Sequence, residues 1–330
     1  MHIQRIEFLD IAKGIGIILV VFGHTFNSAG MVSNYILAFH MPLFFFLSGF
    51  LYNEEKYKIT DFIIKRAKQL LIPCLSFTLI SVGIDLLFYH GRSLLILKNY
   101  LPGALWFLLV LFITEIIYAG ICKLTLKLYS IRLVIIIVSA FTGVFLYKNQ
   151  LNLPYSIITT FSAIFFYGLG HIIHTYLNTI PVPSKNVYRI SLTILLLAFV
   201  FILVRFFNVR TQMVINQISP PVTGYFAAIA GIYGTVLFSA FIAEYKIKQG
   251  KNISIFLALK NGLNFLGKNT LVILCVHIIY REACNYYIHQ YIESRFYRML
   301  FLQVILWILI YFTILVFNKS KVLSYLLGKI

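Results

Sequence analysis

Residues 9–26 read LDIAKGIGIILVVFGHTF, an apolar run close to the roughly twenty residues that a helix needs to cross a bilayer. Similar runs recur along the whole sequence and predict ten membrane spans. Their approximate limits are 9–26, 35–52, 70–89, 104–121, 131–147, 156–176, 189–207, 222–243, 266–287 and 299–317. The ninth is the least regular, because Arg281 and Glu282 follow its short apolar run. The sequence therefore predicts an all-α, polytopic transmembrane bundle.

Composition agrees with this prediction, since 60% of the residues are hydrophobic and only 12% are charged. A soluble core does not need so large an apolar share. The sequence shows no long linker, low-complexity tract or repeat, so we interpret residues 1–330 as a single membrane domain. The cysteines form no CxxC pair and are expected to be packing residues, which leaves no predicted metal site. They are Cys74, Cys122, Cys275 and Cys284.

Lys and Arg are unevenly distributed among the predicted loops. If the N-terminus is cytoplasmic, the cytoplasmic loops carry more than twice as many of them as the opposite loops. Because positively charged loops resist translocation, both termini are predicted to be cytoplasmic. The net charge of +18 is spread over short loops, which argues against a nucleic-acid partner and favours anionic lipids. A cleavable signal peptide is not expected, because charged residues interrupt the first apolar run.

The first predicted span contains three ionisable side chains, each costing on the order of 3 kcal/mol at mid-depth in hydrocarbon. Lys13 and His24 lie on one helix face, separated by a rise of about 16 Å, and Asp10 lies within about 40° of that face. One interpretation is a functional polar face. The other is an Asp10–Lys13 pair with His24 solvated among headgroups.

Several further polar residues fall in or near apolar spans. His40 precedes Met41 and Pro42, where it could help to define a substrate side. His277 follows Asn269 by eight positions on roughly the same helix face. His171 and His174 are expected to be solvated at the membrane interface. Trp106 is expected to pack against other side chains or to contact substrate. No partner is assigned to the ionisable residues Asp85, Glu115 and Arg205.

Residues 5–24, RIEFLDIAKGIGIILVVFGH, resemble the opening signature of the acyltransferase-3 family. The other segments that resemble the family, in order, are FHMPLFFFLSGFLY at 39–52, KRAKQLLIP at 65–73, LWFLLVLF at 105–112 and GKNTLVILCVH at 267–277. The resemblance covers nearly the whole chain. It implies a bacterial inner-membrane enzyme that moves an acyl group, acetyl by preference, from cytoplasmic acyl-CoA to a hydroxyl of a carbohydrate or cell-envelope acceptor.

The resemblance also implies site residues. His24 would act as general base on the acceptor hydroxyl, or would itself carry the acyl group. Lys13 occupies the position of the family's arginine, which keeps the charge but loses the planar fork, and Asp10 would assist it. The residues implied in binding the CoA phosphates are Lys65, Arg66 and Lys68, with Gln69 in place of a second arginine. The residues implied in substrate binding are His40, Trp106, His277 and Asn269.

Two other functions remain open at this stage. A transporter or flippase for a lipid-linked sugar would also need a polar face across the bilayer. A membrane sensor without turnover would fit the altered arginine positions. An attached extracytoplasmic SGNH-type domain is not expected in this chain, so either the membrane domain completes the transfer alone or a separate extracytoplasmic protein takes over the acyl group. The acceptor's identity and the oligomeric state are not predicted.

Overall fold

The computed structural model describes residues 7–26, 30–88, 100–151, 153–177, 182–245 and 253–328. Nearly all of these residues are helical. The helices of the first half are α1 (Glu7–Thr25), α2 (Met31–Leu37), α3 (His40–Phe50), α4 (Ile59–Arg66), α5 (Ile72–Phe88), α6 (Trp106–Thr125) and α7 (Tyr129–Lys148). Those of the second half are α8 (Thr159–Leu177), α9 (Asn186–Phe206), α10 (Pro221–Glu244), α11 (Ile253–Lys268), α12 (Thr270–Ile288), α13 (Arg295–Lys319) and α14 (Lys321–Leu326).

The described residues contain ten helical segments that are long and apolar enough to cross a membrane. Each coincides with one of the predicted spans, so the all-α, ten-span fold is confirmed. The physical reason is that a helix satisfies all of its own backbone hydrogen bonds, which is obligatory in hydrocarbon. Apart from the start of the third span, all limits lie within four residues of the prediction. The second, third and ninth spans differ from it in how their helices are built.

The second span, predicted as 35–52, consists of two helices. α2 ends at Leu37, and α3 begins at His40 after a break at Ala38 and Phe39. Pro42 explains the break, because it has no N–H to donate and its ring clashes with the carbonyl four residues earlier, at Ala38. The break puts His40 at the first position of a new helix, with its side chain buried.

The third span was predicted to begin at residue 70 but begins at Ile59. A single π-helical turn, Ala67–Leu71, joins α4 to α5 immediately before Pro73. Pro73 cannot donate to the carbonyl of Gln69, and the wider turn accommodates that loss. The charged residues predicted to precede the span therefore lie within its first turns.

The ninth span was predicted as 266–287, but two helices meet at Asn269. α12 is the span itself, and α11 is a separate helix that sequence analysis had treated as part of a loop. α11 crosses α1 at very short distance, since a Cβ on Gly267 would lie 1.8 Å from the carbonyl oxygen of Asp10. Glycine is therefore required at this crossing.

Contacts between helix ends define two faces of the bundle. The N face contains the start of α1, the end of α10, α11 and the end of α13. Lys260 of α11 binds Glu7 at 3.0 Å and donates to the carbonyl of Ala243 at 2.7 Å, and Asn318 of α13 donates to Asn269, at the end of α11, at 3.3 Å. The distal face contains the end of α1 and the middle of α12. A short hairpin lies between α9 and α10, with β1 (Arg210–Gln212) antiparallel to β2 (Gln217–Ser219).

The core surrounds α1 and α3. Ile17 and Val21 of α1 and Phe45 of α3 are fully buried. α3 also packs very closely against α8, because a Cβ on Gly49 would lie 1.8 Å from the carbonyl oxygen of Tyr167. The central position of α1 places its polar residues inside the protein, where each one needs a partner or a function.

Candidate active site

Two histidines from opposite ends of the chain meet at the distal face. The ring centroids of His24, at the end of α1, and His277, in α12, are 5.2 Å apart, with the ring planes tilted by 49°. His277 is completely buried, whereas His24 is partly exposed. A ligand that arrives from the distal face would therefore reach His24 first, with His277 behind it.

The hydrogen bonds of His277 determine its tautomer. Its Nδ1 lies 2.9 Å from the carbonyl oxygen of Ile273, which can only accept, so Nδ1 carries the proton. In the neutral ring, Nε2 is then a lone-pair acceptor. This buried nitrogen has no hydrogen-bond partner among the described residues. Buried polar atoms are normally paired, so an unpaired acceptor next to His24 indicates a functional position.

Arg281 is the cation beside this histidine pair. It lies one helical turn after His277 in α12, and its Nη1 donates to the backbone carbonyl of His24 at 3.1 Å. Its side chain is 24% exposed, and Nη2 also lies 3.4 Å from Glu282. A cation at the C-terminal end of α1 complements the helix dipole there. Arg281 thus fixes the end of α1 that carries His24 against α12.

His40 and Trp106, the other predicted residues near the distal face, are both buried. The Nδ1 of His40 lies 2.9 Å from the carbonyl oxygen of Ile36, which again leaves Nε2 as the acceptor. Trp106 is the first residue of α6. Its indole ring lies edge-on to the ring of Phe107, with the ring centroids 6.3 Å apart. The surroundings of Trp106 therefore fit the expectation that it is a packing residue.

Asp10 and Lys13 form an ion pair at 2.7 Å in the N-terminal half of α1. Asp10 is 2% exposed, and its carbonyl contacts Gly267 of α11. This i,i+3 pair is the structural alternative considered from the sequence. Because the rise along α1 separates Lys13 from His24 by about 16 Å, the two residues do not share one small site.

Arg66 lies in a buried network at the junction of α4 and the π turn. Its guanidinium makes a two-pronged contact with the carboxylate of Glu115 in α6, and its Nη1 donates to Gln69 at 2.8 Å. Glu115 is 2% exposed. Glu115, to which the sequence assigned no partner, therefore binds Arg66, the most deeply placed of the three basic residues Lys65, Arg66 and Lys68.

A cavity of about 320 Å³ opens beside this network, and its wall includes Lys65 and Arg66. The ammonium of Lys65 contacts the hydroxyl of Tyr57 at 2.6 Å, and this hydrogen bond lowers the pKa of Tyr57 below its ordinary value. Lys68 is exposed and does not line the cavity. The structure thus separates Lys68 from the two residues with which it was grouped.

Asn269 lies at the corner between α11 and α12. Its Nδ2 donates to the carbonyl of Phe265 at 2.8 Å, and its Oδ1 accepts from Asn318 at 3.3 Å. It is eight residues from His277, which corresponds to about 12 Å along the helix. The structure therefore places Asn269 in the joint between helices, away from the histidine pair with which it was grouped.

The expectation of interfacial solvation for His171 is wrong. His171 is 2% exposed, and its Nδ1 lies 3.1 Å from the hydroxyl of Tyr118. Its Nε2 lies 3.3 Å from Thr175 Oγ1. His174 stacks on Phe50 with ring centroids 4.7 Å apart. His171 lies toward the end of α8 but is not solvated, because Tyr118 of α6 packs against it.

Sequence reasoning assigned no function to Arg281, although the signal was present. A charged residue inside a predicted span is expensive in hydrocarbon and therefore needs a partner. What the sequence does not contain is the identity of that partner, since Arg281 and the His24 carbonyl are 257 residues apart. Only the packing of α12 against α1 brings them together.

Ten membrane-spanning helices with a histidine pair at one end of a buried central helix define a multi-pass membrane protein with an internal polar site. The acyltransferase-3 family model, described as an acyltransferase domain, matches residues 6–318, nearly the entire chain. The chain therefore belongs to the acyltransferase-3 family. Searches of curated proteins and of solved structures found no match.

Proposed function

We propose that this protein transfers an acetyl group from acetyl-CoA to a hydroxyl of a carbohydrate or cell-envelope acceptor, with His24 as the general base. The N face is cytoplasmic in this proposal and admits the donor, while the acceptor approaches from the distal face of a bacterial inner membrane. The observation that carries the proposal is the contact between His24 and His277, with Nε2 of His277 unpartnered among the described residues.

The division of labour follows from exposure. His24 is partly exposed and can touch a substrate, whereas His277 is fully buried and can act only through His24. A ring nitrogen of His24 takes the proton of the acceptor hydroxyl as its oxygen attacks the thioester carbonyl. The carbon–sulfur bond then breaks, and the CoA thiolate leaves with the proton from His24. An imidazole suits this task because its ordinary pKa lies near neutral pH.

Acetyl-CoA turnover by purified protein in lipid discs tests the proposal. Release of free CoA and transfer of labelled acetyl to a cell-envelope fraction are followed for wild type and His24→Ala. General-base catalysis contributes about 10²–10⁴-fold, so His24→Ala is expected to lose at least about 10² in rate while remaining folded. His289→Ala is the matched control, because His289 follows the same helix as His277 but is exposed.

Four results would contradict the proposal or its general-base mechanism. Full turnover by His24→Ala would remove this residue from the reaction. A silent wild type that nevertheless moves a lipid-linked sugar across the disc would favour a flippase, and silence in both assays would favour a sensor. A burst of CoA release that leaves labelled acetyl on His24 would replace the general base with a covalent acyl-histidine.

A further inference from the structure

A cavity of about 510 Å³ lies at the helix ends of the N face. Its walls are the connector between α3 and α4, the first turn of α4, the last turns of α6, the turn that follows α6, and Arg132 of α7. Three aromatic rings face it, those of Tyr52, Tyr57 and Phe62. The volume falls within the range of about 300–1,000 Å³ that is usual for small-molecule sites. Sequence analysis assigned no function to the residues that line this cavity.

The charges around this cavity leave a surplus of cations. Glu55 is paired with Lys127 at 2.6 Å, and that hydrogen bond lowers the pKa of Glu55, so the carboxylate is ionised and neutralised. Glu54 is likewise paired with a cation, Arg132. Lys58 and Lys123 also line the cavity, and the ammonium group of neither has an ion-pair or hydrogen-bond partner among the described residues. Two lysine charges therefore remain available.

Arg132 supplies a third donor from the cavity wall. It is fully buried, and three of its contacts are satisfied: Nε donates to Thr125 Oγ1 at 2.8 Å, and Nη2 reaches the carbonyl of Cys122 at 3.1 Å and Glu54 at 2.8 Å. Its Nη1 is buried and has no partner within the described residues. An arginine fixed in this way offers a preorganised donor to an anion.

The cavity adjoins the smaller one beside Arg66. Both are lined by Asn53 and by the same three aromatic residues, which form a common wall. The smaller cavity continues inward to Glu115 and Tyr167. A long ligand with one anionic end could therefore place that end among the lysines and extend its remainder along the wall into the protein.

We propose that the 510 Å³ cavity binds the phosphorylated adenine nucleotide of the acyl donor, with Lys58, Lys123 and the Nη1 of Arg132 as its phosphate contacts. This inference rests on the proposed function, since it names the binding site for the donor in that reaction. It moves the phosphate contacts from Lys65, Arg66 and Lys68 to Lys58 in the α3–α4 connector, Lys123 in the last turns of α6 and Arg132 in the first turn of α7. Tyr57 and Phe62 provide flat surfaces for the adenine base.

Nucleotide binding tests the inference directly. CoA, dephospho-CoA and adenosine 3′,5′-bisphosphate are titrated onto purified protein in phosphatidylcholine discs, which lack anionic headgroups. Charged hydrogen bonds to phosphate are strong enough that the Lys58→Ala/Lys123→Ala variant is expected to bind CoA at least about tenfold more weakly. KM for acetyl-CoA should rise similarly, with kcat retained. Lys319→Ala/Lys321→Ala is the matched control, since both of these lysines are exposed at the N face.

Each alternative result has a distinct meaning. Equal CoA affinity in both double variants, with turnover intact, would overturn the nucleotide site but leave the proposed function standing. Turnover without measurable nucleotide binding would do the same. Neither binding nor turnover by wild type would overturn both proposals. If phosphatidylglycerol discs abolish nucleotide binding by the wild type, the lysines bind lipid headgroup phosphate instead, and the inference is wrong.

Discussion

The Arg66 network and the His24–His277 pair both consist of ionisable side chains within apolar helices, but they differ in what they leave unpaired. Arg66 bonds Glu115 with two nitrogens and Gln69 with a third, so the charges cancel inside the protein. His277, by contrast, retains an acceptor that has no partner in the described part of the chain, beside a partly exposed imidazole. The first arrangement holds helices together, and the second is suited to moving a proton.

Burial of a charged group therefore does not by itself indicate a functional site. Desolvating an ion pair costs several kcal/mol per ion, and good geometry only offsets that cost, so such pairs persist where helices must meet in one register. An unpaired buried acceptor does not stabilise the packing of helices in this way. We therefore expect mutations in the Arg66 network to affect mainly stability and mutations in the histidine pair to affect mainly rate.

The largest expected effect is on rate, at His277. His277→Asn retains a donor for the Ile273 carbonyl but has no atom at the Nε2 position, so acetyl transfer should fall by about 10² or more. His277→Gln, which places an amide near Nε2, should retain more activity than His277→Asn. Transfer rate and thermal unfolding are measured on both variants. Equal loss in the two, together with a lowered melting temperature, would point to a packing role.

Glu115→Ala should chiefly lower stability. Removing the carboxylate leaves the Arg66 guanidinium, whose side chain is 24% exposed, without its counter-ion, which costs at most about 3–5 kcal/mol, the loss for a fully buried pair. The double variant Arg66→Leu/Glu115→Leu should regain much of that loss, because no buried charge remains. Denaturation in detergent monitored by circular dichroism measures both. A double variant less stable than the single one would show that the pair contributes net stability.

A smaller effect is expected at Arg281. Arg281→Ala removes the donor to the His24 carbonyl and the cation at the end of α1, which together contribute about 1 kcal/mol. Transfer should fall by about tenfold as His24 loses its fixed position, and Arg281→Lys should restore part of it. The readout is the split between kcat and KM. A change in KM alone would indicate that Arg281 contacts the acceptor.

The smallest effect is expected at the surface pair of Lys127 and Glu55, whose side chains are 62% and 71% exposed. Water already solvates both charges, so Lys127→Ala should leave the melting temperature unchanged. This variant is the reference against which the loss in Glu115→Ala is judged. A comparable loss in both would mean that the difference between buried and exposed pairs does not hold in this protein.

The ten spans were predictable because each one needs about twenty apolar residues, a property that is local in sequence. The interruptions at Pro42 and Pro73 are also local, since a proline inside a helix must break or widen it. The crossing of α11 over α1 was not predictable. It depends on the close contact between Gly267 and Asp10, and neither local sequence indicates the other as its packing partner.

The same distinction applies to the site. His24 and His277 were each recognisable as costly residues in apolar helices, and their segments resemble the family signature. Their contact, the tautomer of His277 and the role of Arg281 depend on packing between α1 and α12, which local sequence does not encode. Asn269 shares a helix face with His277 but lies too far along the helix to join it. Helix periodicity predicts which face of a helix a residue occupies, but it does not determine how far along the helix that residue lies from the site.

The most direct test of a histidine pair that acts as one unit is a double-mutant cycle on acetyl transfer with His24→Ala, His277→Ala and the double variant. Residues that act through each other are strongly non-additive. We predict that the double variant is no slower than His24→Ala alone, because His277 has no route to the substrate without His24. Losses that multiply, with each single variant retaining the other residue's full contribution, would contradict a shared site.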